Sequence, residues 1–175
     1  MDKQDEIKIL ISEEEIDKRI REVGAQISEA YAGKELHLIS ILKGGVFFTC
    51  ELAKRLTVPT YVDFMSVSSY GAETTSSGVV KIIKDLDESI EGKDVLVVED
   101  IIDTGTTLSY LMQMLEHRGP KSLALCTLLD KPERRLHEVK VDWTCFKVPD
   151  KFIVGYGLDY AQKYRNLPFI GVIES

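Results

Sequence analysis

The chain has 175 residues, of which 44% are apolar and 29% charged, with a net charge of -7. That length fits one domain with a real hydrophobic core, and the mixed composition excludes a disordered chain. The acidic balance excludes duplex binding, which draws on clustered Lys and Arg, but not a small phosphorylated ligand held by backbone amides. In chain order, residues 12–31 place Ile16, Ile20, Val23 and Ile27 at spacings of three and four. This predicts an amphipathic helix opened by Ser12, with Glu15 completing a capping box. LHLISIL (36–42) reads as a short buried strand, followed by Lys43-Gly44-Gly45 and a helix over VFFTCELAKRL. PTYVDFMSVSSY (59–70) predicts a strand, Gly71 to Gly78 a polar mobile loop, and VVKIIKDL another strand. Glu91-Gly92-Lys93-Asp94 turns into VLVVE, a buried strand. Thr106 to Arg118 is helical and stopped by Gly119-Pro120, and SLALCTLLD (122–130) is the next strand. WTCFKV and FIVGYGLDY in the tail are strand-like.

Alternating strand and helix predict an α/β fold with a parallel, helix-covered sheet in a single domain, residues 1–175. Ligands of such sheets bind beyond the carboxyl ends of the strands, at a topological switch point. Cys50, Cys126 and Cys145 are odd in number and widely spaced, so buried free thiols are expected rather than a metal site or disulfides. No apolar run approaches ~18–20 residues, and the acidic start MDKQDEIK lacks a signal pattern, so the expectation is a cytoplasmic protein without membrane contact.

The stretch VLVVEDIIDTGTTL (95–108) carries the most chemistry. Small residues between a strand and a helix let successive N–H groups converge on one concavity, where the helix N-terminus favours a phosphate. The bland alternative for Asp103-Thr104-Gly105-Thr106-Thr107 is a capped helix, and the loop alone supports both readings. Glu99 and Asp100 shift the balance. Carboxylates beside a phosphate loop need a ribose, whose hydroxyls donate, or a divalent metal between them and the anion. Leu42-Lys43-Gly44-Gly45 also leads from strand to helix, and in isolation it is no more than a turn. Phe152 and Tyr156 fit a core as well as a stacking surface.

As a joint pattern, the apolar strand with Glu99-Asp100 and DTGTT resembles the phosphoribosyl-pyrophosphate (PRPP) motif of the type I phosphoribosyltransferases. PDKFIVGYGLDY followed by Tyr164-Arg165 is similar to the hood segment of the hypoxanthine(-guanine) phosphoribosyltransferases. DFMSVSSYG, VKIIKDLD and LLDKPERR match that family too, so the likeness runs from about Ile9 to about Ile173. It implies a central, mostly parallel twisted sheet flanked by helices, with a small hood formed by the N- and C-terminal segments. A catalytic flap, with Ser69 and Tyr70, would occupy about 66–78.

The implied reaction is transfer of a 5-phosphoribosyl group from PRPP to N9 of hypoxanthine or guanine. Asp103 would be the acid/base beside purine N7, and Asp103, Thr104, Gly105, Thr106 and Thr107 would hold the 5′-phosphate. Glu99 and Asp100 would face the ribose and, with Asp159, a Mg²⁺ ion. Lys43, Gly44 and Arg165 would bind pyrophosphate. Lys131, Lys151, Phe152, Ile153 and Asp159 would line the purine site. At Leu42-Lys43 the family carries a non-proline cis peptide. Some members have Lys where this chain has Thr106, which alters that contact. His37, His117, His137 and Lys147 form no cluster and read as surface or ordinary structural residues. Members assemble as dimers or tetramers, so a homo-oligomer without nucleic-acid partners is implied. A PRPP-sensing regulator on this fold would need an added DNA-binding segment, and Glu13-Glu14-Glu15 make the N-terminal helix a poor one.

Overall fold

Strand and helix alternate through the middle of the chain as the periodicities require. The structure, a computed structural model, describes residues 6–69 and 80–174. Its elements are β1 (Glu6–Ile11), α1 (Glu13–Ala30), β2 (Leu36–Ile41), α2 (Val46–Ala53), β3 (Thr60–Ser69) and β4 (Val80–Lys84). After these come β5 (Asp94–Ile102), α3 (Thr106–Glu116), β6 (Ser122–Asp130), β7 (Trp143–Lys147), β8 (Ile153–Val154) and β9 (Ile170–Glu174). The capping box forms: Ser12 Oγ accepts from Glu15 N at 3.2 Å, and Glu15 Oε2 accepts from Ser12 N at 2.8 Å.

The main sheet has the order β4-β3-β2-β5-β6-β7, parallel throughout except for the β3–β4 pair. Leu96 and Val98 of β5 pack with Ile16, Ile20 and Phe48 on one face, while Val95 and Val97 pack with Leu108, Leu111 and Leu115 on the other. Two covered faces explain why β5 is apolar without alternation. The chain leaves β2 toward β3 on one side and β5 toward β6 on the other. The crevice between the carboxyl ends of β2 and β5 is therefore the switch point of the sheet.

A second sheet, β1-β9-β8, is antiparallel, with Glu6 opposite Glu174 and Ile153 opposite Val172. It joins Glu6–Ile11 to Ile153–Val154 and Ile170–Glu174, in the segments where a hood is expected. β1 and β9 were not among the elements read from the sequence.

Several readings need correction. β5 runs three residues past VLVVE, so Asp100 also lies within the strand, while Glu99, Ile101 and Ile102 pair with Thr127, Leu129 and Asp130 of β6. FIVGYGLDY is strand only at Ile153–Val154, because Gly155, Tyr156 and Gly157 have φ of 95, 50 and 100°, which a strand cannot accommodate. Residues 66–69 of the expected flap belong to β3 and pair with β4, while Tyr70 and the rest of the flap lie outside the described residues. Cys126 and Cys145 are buried free thiols, as expected, and burial pushes Cys145 up to about 12. Cys50 is exposed, because it points off the outer side of α2.

Candidate active site at the sheet switch point

The two glycine-bearing loops sit side by side at the crevice. The Leu42-Lys43 peptide is cis. Gly44 lies so close to its neighbours that an added Cβ would overlap Asp100 Oδ2, and a Cβ on Gly157 would overlap Gly44 O. The loop after β2 is thus pressed against an acid of β5 and against the hood strap of residues 155–165. There Arg165 donates from Nη1 to Gly157 O at 2.7 Å and lies 3.2 Å from Asp159 Oδ1. Gln162 ties the group together: its N donates to Asp159 Oδ2 at 2.9 Å, and its Oε1 accepts from Lys43 Nζ at 3.2 Å. Lys43, Gly44, Asp159 and Arg165, far apart in sequence, are brought to one place. Gln162, with φ of 68°, was not anticipated, since a lone glutamine carries no local signal.

Glu99, Asp103, Thr104, Gly105 and Thr107 line a cavity of ≈ 250 Å³ between β5 and the start of α3. Burial, and then the adjacent Asp100 carboxylate, push the Glu99 carboxyl well above the ordinary carboxylate range. Gly105 caps α3 with φ of 80°, a left-handed conformation in which non-glycine side chains are strained. Thr106 differs from its expected role in one respect. Its side chain is buried, and its hydroxyl meets Thr104 Oγ1 at 3.3 Å and His137 Nδ1 at 2.9 Å. His137 is exposed, as expected, and its ring is also a neighbour of the loop.

A second group of candidate residues lies at the end of β6 and the start of β8. Lys131 is buried; its N donates to Ile102 O at 2.9 Å and its Nζ to Lys151 O at 2.6 Å, joining the end of β5 to the hood. Ile153 is buried, whereas Phe152 is 53% exposed and forms a T-shaped pair with Tyr160 at 5.4 Å between ring centres. Lys151 is exposed beside it. Arg134 Nε lies 2.8 Å from Asp103 Oδ1, and Arg134 Nη1 lies 3.4 Å from Asp150 Oδ1. A larger cavity of ≈ 620 Å³, lined by Glu35, His37 and Tyr61, opens at the amino ends of β2 and β3, away from all of these groups.

Among the described residues no three His, Cys, Asp or Glu side chains form a group that could hold a metal ion. Glu99 and Asp100 offer hard oxygen donors in pairs, which fits Mg²⁺ shared with substrate phosphates and waters rather than caged by protein.

Residues 8–161 match the phosphoribosyl transferase domain family. The hypoxanthine-guanine phosphoribosyltransferase of Bacillus subtilis (strain 168) is 53% identical over 174 residues, covering 99% of this chain and 97% of that protein. The chain belongs to the hypoxanthine-guanine phosphoribosyltransferase family. A crystal structure of the Bacillus anthracis member, 47% identical, superposes with a TM-score of 0.93 over 97% of this chain and 100% of that one. The Trypanosoma cruzi hypoxanthine phosphoribosyltransferase in complex with the product IMP is 44% identical, with a TM-score of 0.91 over 97% and 95% of the two chains. Among the described residues no helix is long and apolar enough to cross a membrane.

Proposed function

We propose that this chain is a purine-salvage enzyme that transfers the 5-phosphoribosyl group of PRPP to N9 of hypoxanthine, giving IMP and pyrophosphate. Guanine is the second base, giving GMP. The observation that carries the reading is the Lys131 bridge. One residue bonds both the end of the β5 strand, from which the phosphate loop leaves, and the backbone beside the exposed Phe152, which supports a reading with a phosphate and a flat base held near each other.

In this reading the N–H groups of residues 104–107 and the Thr104 and Thr107 hydroxyls hold the 5′-phosphate, while Glu99 and Asp100 face the ribose hydroxyls. Breaking the C1′–O bond builds positive charge on the ribose and negative charge on pyrophosphate. The carboxylates of β5 oppose the first, and Lys43, Arg165 and the backbone N–H groups around Gly44 oppose the second. Phe152 stacks on the purine, Lys131 and Lys151 donate toward its O6 side, and the backbone of Ile153 meets its Watson–Crick edge. Asp103 holds the proton at N7. Glu99, Asp100 and Asp159 would hold Mg²⁺, which would supply charge neutralisation for the leaving group. A flap beyond β3, with Ser69 at its strand end and Tyr70 after it, would close over the ring to keep out water. We place the enzyme in the cytoplasm as a dimer or tetramer.

The test is pyrophosphate release from PRPP and Mg²⁺ with hypoxanthine, guanine or xanthine as the only base. Turnover with hypoxanthine that vanishes on chelation is expected. Absence of turnover with hypoxanthine and guanine alike overturns the reading.

A further inference from the structure

The loop from Asp103 to Thr107 is held from behind by three consecutive residues of the segment after β6. Arg135 Nε donates to Asp103 O at 3.3 Å, and Leu136 N and His137 N donate to Thr104 O at 2.8 and 3.1 Å. Arg135 is itself fixed by an ion pair with Asp130 at the end of β6. In a trans peptide the C=O and the following N–H point opposite ways. Turning the carbonyls of Asp103 and Thr104 toward this strap therefore turns the N–H groups of Thr104 and Gly105 away from it, on the side where both residues line the ≈ 250 Å³ cavity. A Cβ on Gly105 would stand 2.5 Å from His137 O, so the strap and the loop are in contact along their length.

The side chains add a direction to this arrangement. Thr104 Oγ1 receives the Thr106 N–H at 3.4 Å and lies 3.3 Å from Thr106 Oγ1, which in turn lies 2.9 Å from His137 Nδ1. A hydroxyl has one proton and two lone pairs. When His137 donates from Nδ1, Thr106 Oγ1 accepts and its O–H donates to Thr104 Oγ1, reversing the Thr104-to-Thr106 donation that the same 3.3 Å contact also permits. Both lone pairs of Thr104 are then used, and its proton is left for an acceptor in the cavity. When His137 accepts instead, the chain runs backward and Thr104 donates toward Thr106.

We infer that His137 is a positioning residue for the phosphate of PRPP and IMP, orienting the Thr106–Thr104 hydroxyl chain so that Thr104 donates into the cavity. The inference rests on the reading of this loop as the 5′-phosphate site. The His137 side chain touches no reacting atom and acts only through Thr106.

The experiment compares His137→Ala, Thr106→Val and the double variant by steady-state kinetics and by calorimetry with IMP. Each single change is expected to raise the KM for PRPP and the Kd for IMP by about 3–10-fold, the worth of one hydrogen bond. The KM for hypoxanthine moves less, and the double variant is no worse than either single, as coupled residues require. If His137→Ala lowers Tm, His137→Asn carries the test, since its amide donates from nearly the same place: recovery of the PRPP KM supports the inference and no recovery overturns it. An unchanged PRPP KM in His137→Ala overturns it, as do additive losses in the double variant. Thr104→Val separates the two levels. If it raises the PRPP KM while His137→Ala does not, the relay alone fails; if it too has no effect, the phosphate-loop reading fails beneath it.

Discussion

Two loops leave the sheet at the same crevice, one after β2 and one after β5, and each opens a helix with glycine before it. They are made rigid in opposite ways. Residues 42–45 are pressed from the front: Gly44 touches Asp100 and Gly157, and Gly45 would carry a Cβ 2.7 Å from Ile41 O. Neither glycine is left-handed. Residues 103–107 are pulled from behind by Arg135, Leu136 and His137, and Gly105 needs its φ of 80°. Glycine serves space in the first loop and conformation as well in the second. A loop confined by packing tolerates no added atom; a loop confined by hydrogen bonds keeps room for a guest.

The largest effect that tests this contrast comes from the second loop. Asp103→Asn keeps the shape and the strap but removes the proton acceptor, so kcat is expected to fall by roughly 10²–10⁴-fold with Tm unchanged. A kcat close to wild type would take Asp103 out of the acid/base role. Gly44→Ala probes the packed loop: displacing Asp100 or the hood strap should lower kcat/KM for PRPP by about 10²-fold, the cost of misplacing groups by roughly an ångström. Wild-type kinetics in that variant would show that the contact is slack. Glu99→Gln tests the acids between the loops. The folded-state pKa of Glu99 lies above its unfolded value, so the stability it contributes is full below pH 4.5 and is lost as pH rises through the folded value. Without metal or PRPP, Glu99→Gln should therefore melt about 2–4 °C above wild type at pH 8 and level with it near pH 4, by thermal melts followed by circular dichroism. Equal melting at both values would refute the charge cost. The smallest effect is at Arg134, whose half-exposed pair with Asp103 covers the acid. Arg134→Gln should lower the hypoxanthine KM by at most about fivefold, and added salt should do the same to wild type but not to the variant.

What was legible follows from how local each signal is. Ser12 and Glu15 are three residues apart and make their bonds within one turn, so α1 could be read to within a residue. The run VLVV needs only two covering layers to declare itself a buried strand, and DTGTT carries its conformation in Gly105. The hood strands were missed because Glu6 finds its partner at Glu174, and most of β1 is exposed or half-exposed, leaving no clear burial pattern. FIVGYGLDY looked extended by composition, while Gly155 and Gly157 turn it. His137 was passed over because its partner, Thr106, lies thirty-one residues earlier and no spacing rule joins them. The purine side of the site, Phe152 and Lys131 above all, came from the family likeness rather than from any spacing.

The pairing of β1 and β8 with β9 has a consequence in time. Residues 170–174 are the last described strand, and Ile153 and Val154 of the purine wall pair with it. A ribosome releases the chain from its N-terminal end at about 5–20 residues per second. The sheet from β2 to β7 and both anion loops are therefore complete before the strand that backs the purine wall emerges. On the proposed reading, a nascent chain passes through a stage with its phosphate loop formed and its purine wall not yet backed by β9. A chain cut after residue 169 would be held at that stage.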